Sequence, residues 1–363
     1  MPVPLSPRVR PLPQIYVGSE IGSINDALAR GVLLHFSRQA DEELNMALTS
    51  QINFSAHATS LNALKSFVRC LLPGVLTAPE ATHLFERILE LAKHPDNIIS
   101  RREVALHTLG CLGDPLFRLQ EAGDIPGDFL SRTAATAENV FRAPSLGVVQ
   151  DWLSQGAANP LNRFKMNLGT VDRFQATALR ALGRLLFHLP ADESKRALST
   201  INEGVGHLEA EVRDGAAYAL RKAHPALDAI ERGAALMQLY ALLHDGDPDI
   251  RTTALYALEK YGEDIEPSTA PLLFNRVLTL CSAPQHQVRR NAVHLLQLWG
   301  ALPIFQSRKT DVTSRLEEMR TDVSFAVRRA AINLVSSNLA REESVEGEIP
   351  ALVENQLQEN VPN

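Results

Sequence analysis

Five nine-residue segments recur along the second half of the chain at an almost constant interval, and this limits the fold more than any other feature. They are FQATALRAL (174–182), VRDGAAYAL (212–220), IRTTALYAL (250–258), VRRNAVHLL (288–296) and VRRAAINLV (327–335). Their second residues, Gln175, Arg213, Arg251, Arg289 and Arg328, follow one another at equal steps, the last longer by a single position. Self-similarity at such a period marks an array of stacked supersecondary units. With the Gln or Arg as position 0, apolar residues fall at −1, +3, +4 and +7, as do Ile250, Ala254, Leu255 and Leu258. At about 100° per residue these four make one helical stripe. Each segment follows a polar turn (HLEAE, HDGDPD, SAPQH, RTDVS), in which Asp247, Pro248 and Asp249 read as a cap with a first-turn proline. Before the turns lie further amphipathic runs, such as ALMQLYALL (235–243) and PLLFNRVLTL (271–280), so one unit is two antiparallel helices.

These residues resemble the HEAT-repeat family, whose second helix commonly opens with Asp, then Val/Ile-Arg, then a small apolar pattern. Asp247, Ile250 and Arg251 match best; Val212-Arg213, Val288-Arg289 and Val327-Arg328 match in part, and Gln175 departs from the Arg. The resemblance covers residues 172–340. It implies an all-α, right-handed α–α superhelix (solenoid) of HEAT-like helical hairpins with a period of about 38 residues. It also implies that the position-0 arginines ladder between repeats.

Upstream the pattern decays. Residues 98–110 fit with Arg102 at position 0, preceded by a helix near 80–93 and the turn HPDN; residues 54–70 read as another second helix. The interval from Arg102 to Gln175 is close to two periods, which predicts a degraded copy between them. Glycines and prolines crowd that stretch, leaving short helices over 128–141 and 146–154 and a loop over 156–169. The organisation expected is a Pro-rich arm (1–20), degenerate repeats (21–112), an irregular segment (113–170), regular repeats (171–340) and an acidic tail (341–363).

Composition narrows the function. Of 363 residues, 45% are apolar and only 6% aromatic, which suits close-packed helices. The three cysteines, Cys70, Cys111 and Cys281, form no CxxC pair, which argues against a disulfide framework or zinc site and for a reducing, cytoplasmic setting. No apolar run approaches the roughly 20 residues of a membrane span, and no secretory signal is present. Residues 1–19 carry five prolines and no acid; they read as a disordered arm or, alternatively, as the non-cleaved export signal of a protein resembling bacterial type III effectors.

No catalytic constellation, metal-ligand spacing or cofactor motif appears. Deoxyhypusine hydroxylase, a HEAT-like enzyme, places His-Glu pairs on successive helices; here the nearest is His207-Leu208-Glu209, at a turn. HEAT-like alkylpurine DNA glycosylases need a basic groove with tryptophans and a carboxylate, for which only Trp152 beside Asp151, and Trp299, are on offer.

The surface made by the repetition is more informative. Positions +1, +5 and +9 of the second helices point away from the stripe, onto what such solenoids usually present as a concave side. They align Arg180, Tyr218, Tyr256 and His294 (+5), Arg184, Lys222 and Lys260 (+9) and Arg290 (+1), with Arg221 at the +8 edge. Tyrosine and arginine are favoured at binding hot spots, and cationic rows attract acidic segments. The function this supports is a non-catalytic scaffold holding an acidic or extended partner segment. The alternative is nucleic-acid binding through the same face, against which the net charge of −6 counts.

Overall fold

The computed structural model describes residues 77–93, 99–142 and 160–332, with no β-strand among them. The helices are α1 (Ala78–Lys93), α2 (Ile99–Cys111), α3 (Gly113–Glu121), α4 (Phe129–Arg142), α5 (Pro160–Leu185), α6 (Ala191–Val205), α7 (Ala210–Ala223), α8 (Ala229–Leu242), α9 (Pro248–Leu258), α10 (Ala270–Leu280), α11 (His286–Gly300) and α12 (Lys309–Met319), followed by a helical stretch over 325–332. They pair as hairpins: α1/α2, α4/α5, α6/α7, α8/α9, α10/α11 and α12 with 325–332. The second helices α2, α5, α7, α9 and α11 lie side by side. Both proposed tails, the helix expected over 54–70, the turn HPDN, the helix expected over 146–154, and Trp152 fall outside the described residues.

The apolar stripe is the hairpin interface. Val212, Ala216, Ala217 and Leu220 of α7, Ile250, Ala254, Leu255 and Leu258 of α9, and Val288, Ala292, Val293 and Leu296 of α11 are all buried. A second buried row, Ala181, Ala219, Ala257 and Leu295 at position +6, packs second helix against second helix. At the start of the stack this contact is very close. A Cβ on Gly110 would sit 2.7 Å from Ala181 Cα, and one on Gly183 2.6 Å from Ala219 Cα. Both are a +8 glycine facing a +6 alanine of the next layer.

That equivalence corrects the expectation of a degraded copy between Arg102 and Gln175. α2 packs directly on α5: besides Gly110 against Ala181, Arg173 Nε of α5 donates to Glu103 of α2 at 2.9 Å. No repeat layer intervenes. The additional residues instead build α3, the first helix α4 and a stretch outside the described residues. Gly113 and Pro115 do not prevent α3, because both lie in its first turn, where a proline's missing N–H has no intrahelical acceptor to lose. The helix closes at Gly123 (φ 78°), with Gly123 N–H donating to Gln120 O and Asp124 N–H to Leu119 O, a Schellman ending. The loop expected over 156–169 is helical from Pro160, which opens α5 at the position where proline suits a helix start.

The layers are tied by the position-0 side chains. Arg213 donates through Nε and Nη2 to both carboxylate oxygens of Asp245 in the next turn (2.7 and 3.0 Å), while its Nη1 donates to the carbonyls of His207 and Leu208 in its own turn (2.8 and 2.6 Å). Arg289 repeats this with Asp322 (2.7 and 2.9 Å) and the carbonyls of Ala283 and Pro284 (2.9 and 2.8 Å). Arg251 holds its own turn through Asp245 O and Gly246 O, but across the layer it meets the amide oxygen of Gln285 at 3.1 Å, because Ala283 stands where the turns before α9 and before 325–332 carry Asp245 and Asp322. The ladder aspartate is therefore Asp245, whereas Asp247, the residue matched to the family pattern, caps α9 by accepting from Asp249 N–H at 2.8 Å. Gln175 holds only its own hairpin, donating to Phe141 O of α4 at 2.7 Å.

Arg289's bonds hold the Asp322 carboxyl below the ordinary carboxylate range against the opposing effect of burial. For Asp245, burial pushes upward but is outweighed by the bonds from Arg213 and the Asp247 amide, so it too is lowered. A carboxylate lowered on folding adds stability that is complete above the unfolded value of about 4 and is lost as pH falls through the folded one. Asp322→Asn should therefore destabilise the protein by about 3 kcal/mol at pH 7, since it leaves a largely buried guanidinium half-paired. The difference from wild type in urea unfolding should shrink below pH 4. Gly183→Ala should cost about 1–3 kcal/mol by overpacking, whereas Gly206→Ala, with nothing within 4 Å, should be neutral in the same measurement.

Candidate partner-binding face

Several side chains on the open face of α5 and α7 meet neighbours that lie nearer along the chain than one full period. Arg180 pairs with Asp214 and Arg184 with Tyr218, each at a separation of 34 residues, and Arg221 reaches Tyr256 O at 35. Adjacent second helices are thus displaced by about one turn, and a +5 side chain faces the +1 position of the next layer. Position +1 is Asp214, so the row is less basic than like-with-like alignment predicts.

Taken along the row, the expected site residues separate into two kinds. Arg180 is neutralised by Asp214 and lies 3.6 Å from Glu211. Arg221 lies 3.7 Å from Glu259, and its guanidinium stacks 3.7 Å from the Tyr256 ring centroid. His294 lies 3.5 Å from the same Glu259. Arg290 touches only the Asn291 amide oxygen, at 3.2 Å, and Lys260 is exposed just past α9. Arg184 meets no carboxylate among the described residues: it donates to Cys111 Sγ at 3.0 Å and to Tyr218 Oη at 2.8 Å, with its guanidinium 5.2 Å from the Tyr218 ring centroid. Lys222 shares that ring at 5.9 Å. Not every residue at the chosen register faces out: Ala176 (+1) is buried under Gly215, and Gln297 (+8) is buried, donating to Ala330 O at 2.8 Å.

Two clefts open along this face. One, of 500 Å³, is lined by Tyr256, Glu259, Arg290, Asn291 and His294 with Thr252, Thr253 and Ala330. The other, of 590 Å³, brings Arg184, Tyr218 and Lys222 together with Cys111 at the end of α2, Arg118 of α3 and His188 of the turn after α5. The last three escape the sequence reading because it stops the row at α5. The signal was present, since Cys111 is the +9 residue counted from Arg102. Within the second cleft Asp114 is engaged by His188 Nε2 at 2.7 Å, and the His188 ring stacks on Phe117.

Trp299 belongs to the core, 1% exposed and stacked on Phe305, and cannot line a groove. Among the described residues no group of three or more His, Cys, Asp or Glu could hold a metal ion, and no helix is long and apolar enough to cross a membrane.

No protein-family model matches the chain, and no curated protein sequence matches it. Solved structures do. The karyopherin Kap121p bound to Pho4p aligns with 80% of this chain and 28% of its own length, at 13% identity and a TM-score of 0.50. Kap121p bound to the SUMO protease Ulp1p covers 87% of this chain and 30% of its own (15% identity, TM-score 0.48). A designed armadillo repeat protein in complex with the peptide (KR)4 covers 68% and 96% (14% identity, TM-score 0.43). The chain is a HEAT/armadillo-like helical-repeat solenoid.

Cys111 sits at the rim of the larger cleft, whereas Cys281 is buried and its thiol is pushed up to about 12 by burial. With Cys70 replaced by Ser, native protein should consume one equivalent of iodoacetamide at pH 8 and a second only after unfolding, as counted by mass spectrometry.

Proposed function

We propose that the chain is a non-catalytic scaffold that binds an extended, acid-bearing segment of a partner protein along its second-helix face. The contact row is Arg180, Arg184, Tyr218, Arg221, Lys222, Tyr256, Lys260, Arg290 and His294. The observation that carries this reading is the setting of the two tyrosines. Each is flanked by a guanidinium, Arg184 for Tyr218 and Arg221 for Tyr256, and each lines an open cleft in the same face. Tyr256 remains 41% exposed although a guanidinium already lies on it. Aromatic rings held in place by neighbours offer contact area with little rotamer entropy left to lose on binding.

Charge selects the partner. The pairs with Asp214 and Glu259 fix Arg180, Arg221 and His294 in place, so they shape the face more than they charge it. Arg184, Lys222, Lys260 and Arg290 keep a cationic surplus that an acidic segment complements. The alignment with Kap121p, a protein captured with Pho4p, is in keeping with a fold able to hold a protein segment along its length.

A displayed library of random dodecapeptides tests the proposal. Selection on the full chain should enrich sequences rich in Asp and Glu with an apolar or aromatic residue between them. Tyr218→Ala/Tyr256→Ala should weaken the selected peptides at least tenfold, about 1.4 kcal/mol or more, with helical circular dichroism unchanged. Enrichment of basic or charge-neutral peptides, or binding indifferent to both tyrosines, would reject this face as the partner site.

A further inference from the structure

The larger cleft gathers more uncompensated cations than the smaller one. Three cations line it, Arg118, Arg184 and Lys222, and none meets a carboxylate among the described residues; the one acid there, Asp114, is engaged by His188. Arg184 and Lys222 are moreover gathered about a single ring, 5.2 and 5.9 Å from the Tyr218 centroid. Like charges brought this near in a recess repel unless an anion joins them. For Arg180 and Arg221 the chain supplies that anion itself, as Asp214 and Glu259; here its one carboxylate, Asp114, is engaged by His188 and pairs with none of the three cations.

The hydrogen-bonding capacity left over points the same way. Tyr218 Oη accepts from Arg184 Nη2 at 2.8 Å, so its own proton is free for an acceptor in the cleft. Arg184 spends Nη1 on the Cys111 sulfur, a weak acceptor that an oxyanion outcompetes. A guanidinium, an ammonium and a phenol hydroxyl together present more donors than one carboxylate uses. They match a phosphate monoester, which carries about −1.5 to −2 charges at pH 7 on three acceptor oxygens. The exposed Phe187 ring and Pro225 add apolar lining beside the charged groups, and Tyr218 is the part of the tyrosine row that the cleft includes.

We infer that the Arg118–Arg184–Lys222 cleft is a phosphate-binding subsite that receives a phosphorylated side chain of the partner segment. This rests on the scaffold reading above for the remainder of the segment.

Cys111 provides the readout. Its sulfur is 3.0 Å from Arg184 Nη1, so an anion held at Arg184 covers the thiol. In a Cys70→Ser background, the rate of Cys111 alkylation by iodoacetamide would be followed at constant ionic strength against inorganic phosphate, O-phosphoserine and acetate. Phosphate and phosphoserine should slow it at least fivefold with millimolar half-effects, and acetate should not. Arg118→Gln and Lys222→Gln change exposed residues and leave the fold intact. Each should raise the half-protecting phosphate concentration about tenfold. Equal protection by acetate, no protection by phosphate, or indifference to both substitutions overturns the subsite. In a second arm, phosphoserine replaces one acidic residue of a library-selected peptide and should tighten it about tenfold. Peptides that bind through Tyr256 but gain nothing from phosphate sink this inference and leave the scaffold standing. Phosphate protection without peptide binding, or equal protection by a single-stranded oligonucleotide, overturns the assignment to a protein partner.

Discussion

The stack depends on one arrangement of hydrogen bonds: a guanidinium at the start of a second helix that grips its own turn with one nitrogen and the next turn with the other two. Burying an arginine is costly unless every donor is used. Arg213 and Arg289 spend four of their five N–H donors, taking two carbonyls just beyond the preceding first helix and both oxygens of an aspartate one layer on. The carbonyls belong to the turn that joins the two helices, so the same charge that crosses the layer also closes the hairpin. Hydrophobic burial makes the hairpins cohere, but it is indifferent to a slide of one turn. The forked ion pair is not, and it sets the register in which the layers meet.

That register decides the character of the exposed face. Displaced by about one helical turn, each layer brings a +5 side chain to a +1 side chain of the next. Arg180 therefore finds Asp214, while Arg221 meets its own equivalent in the next layer, Glu259, on which His294 also converges. The surface is built of internally satisfied pairs with two tyrosines between them, and its uncompensated charge is concentrated where α2, α5 and α7 meet. There the approach of Gly110 to Ala181 and Gly183 to Ala219 draws the helices together. Farther along, position +8 holds Arg221 and Glu259 in place of glycine, and the row is tied by ion pairs instead.

Much of this could be read from the amino acids, for reasons that also explain what could not. A steady recurrence and a stripe at −1, +3, +4 and +7 locate α7, α9 and α11, because helix formation there is governed by local pattern. Asp247 and Pro248 announce the start of α9 by chemistry that needs no tertiary context. The pairing of Arg180 with Asp214 is different: periodicity aligns like with like, whereas contact joins unlike positions, and the offset is set by three-dimensional packing. The distance from Arg102 to Gln175 misleads for a related reason. A count of residues equals a count of layers only when no helix is inserted, and α3 is an inserted helix whose proline and glycine look like breakers until they are placed in its first turn. Gln297 resembles a surface residue by register and is instead held inside by Ala330 O.

The substitution of Ala283 for aspartate gives the column a seam. Neighbouring layers in such arrays stand or fall by their mutual contacts, and the whole behaves as a chain of coupled units. Between α7 and α9 the link is a charged fork, and so it is between α11 and the turn before 325–332. Between α9 and α11 the position-0 link is one neutral amide, Gln285, accepting a single bond, beside the His294–Glu259 pair and the bond from Asn291 to Thr252 O. Under tension or in mild denaturant the array should part there first. The last layers would come away as a block while the phosphate cleft and Tyr218, on the other side of the seam, stay intact.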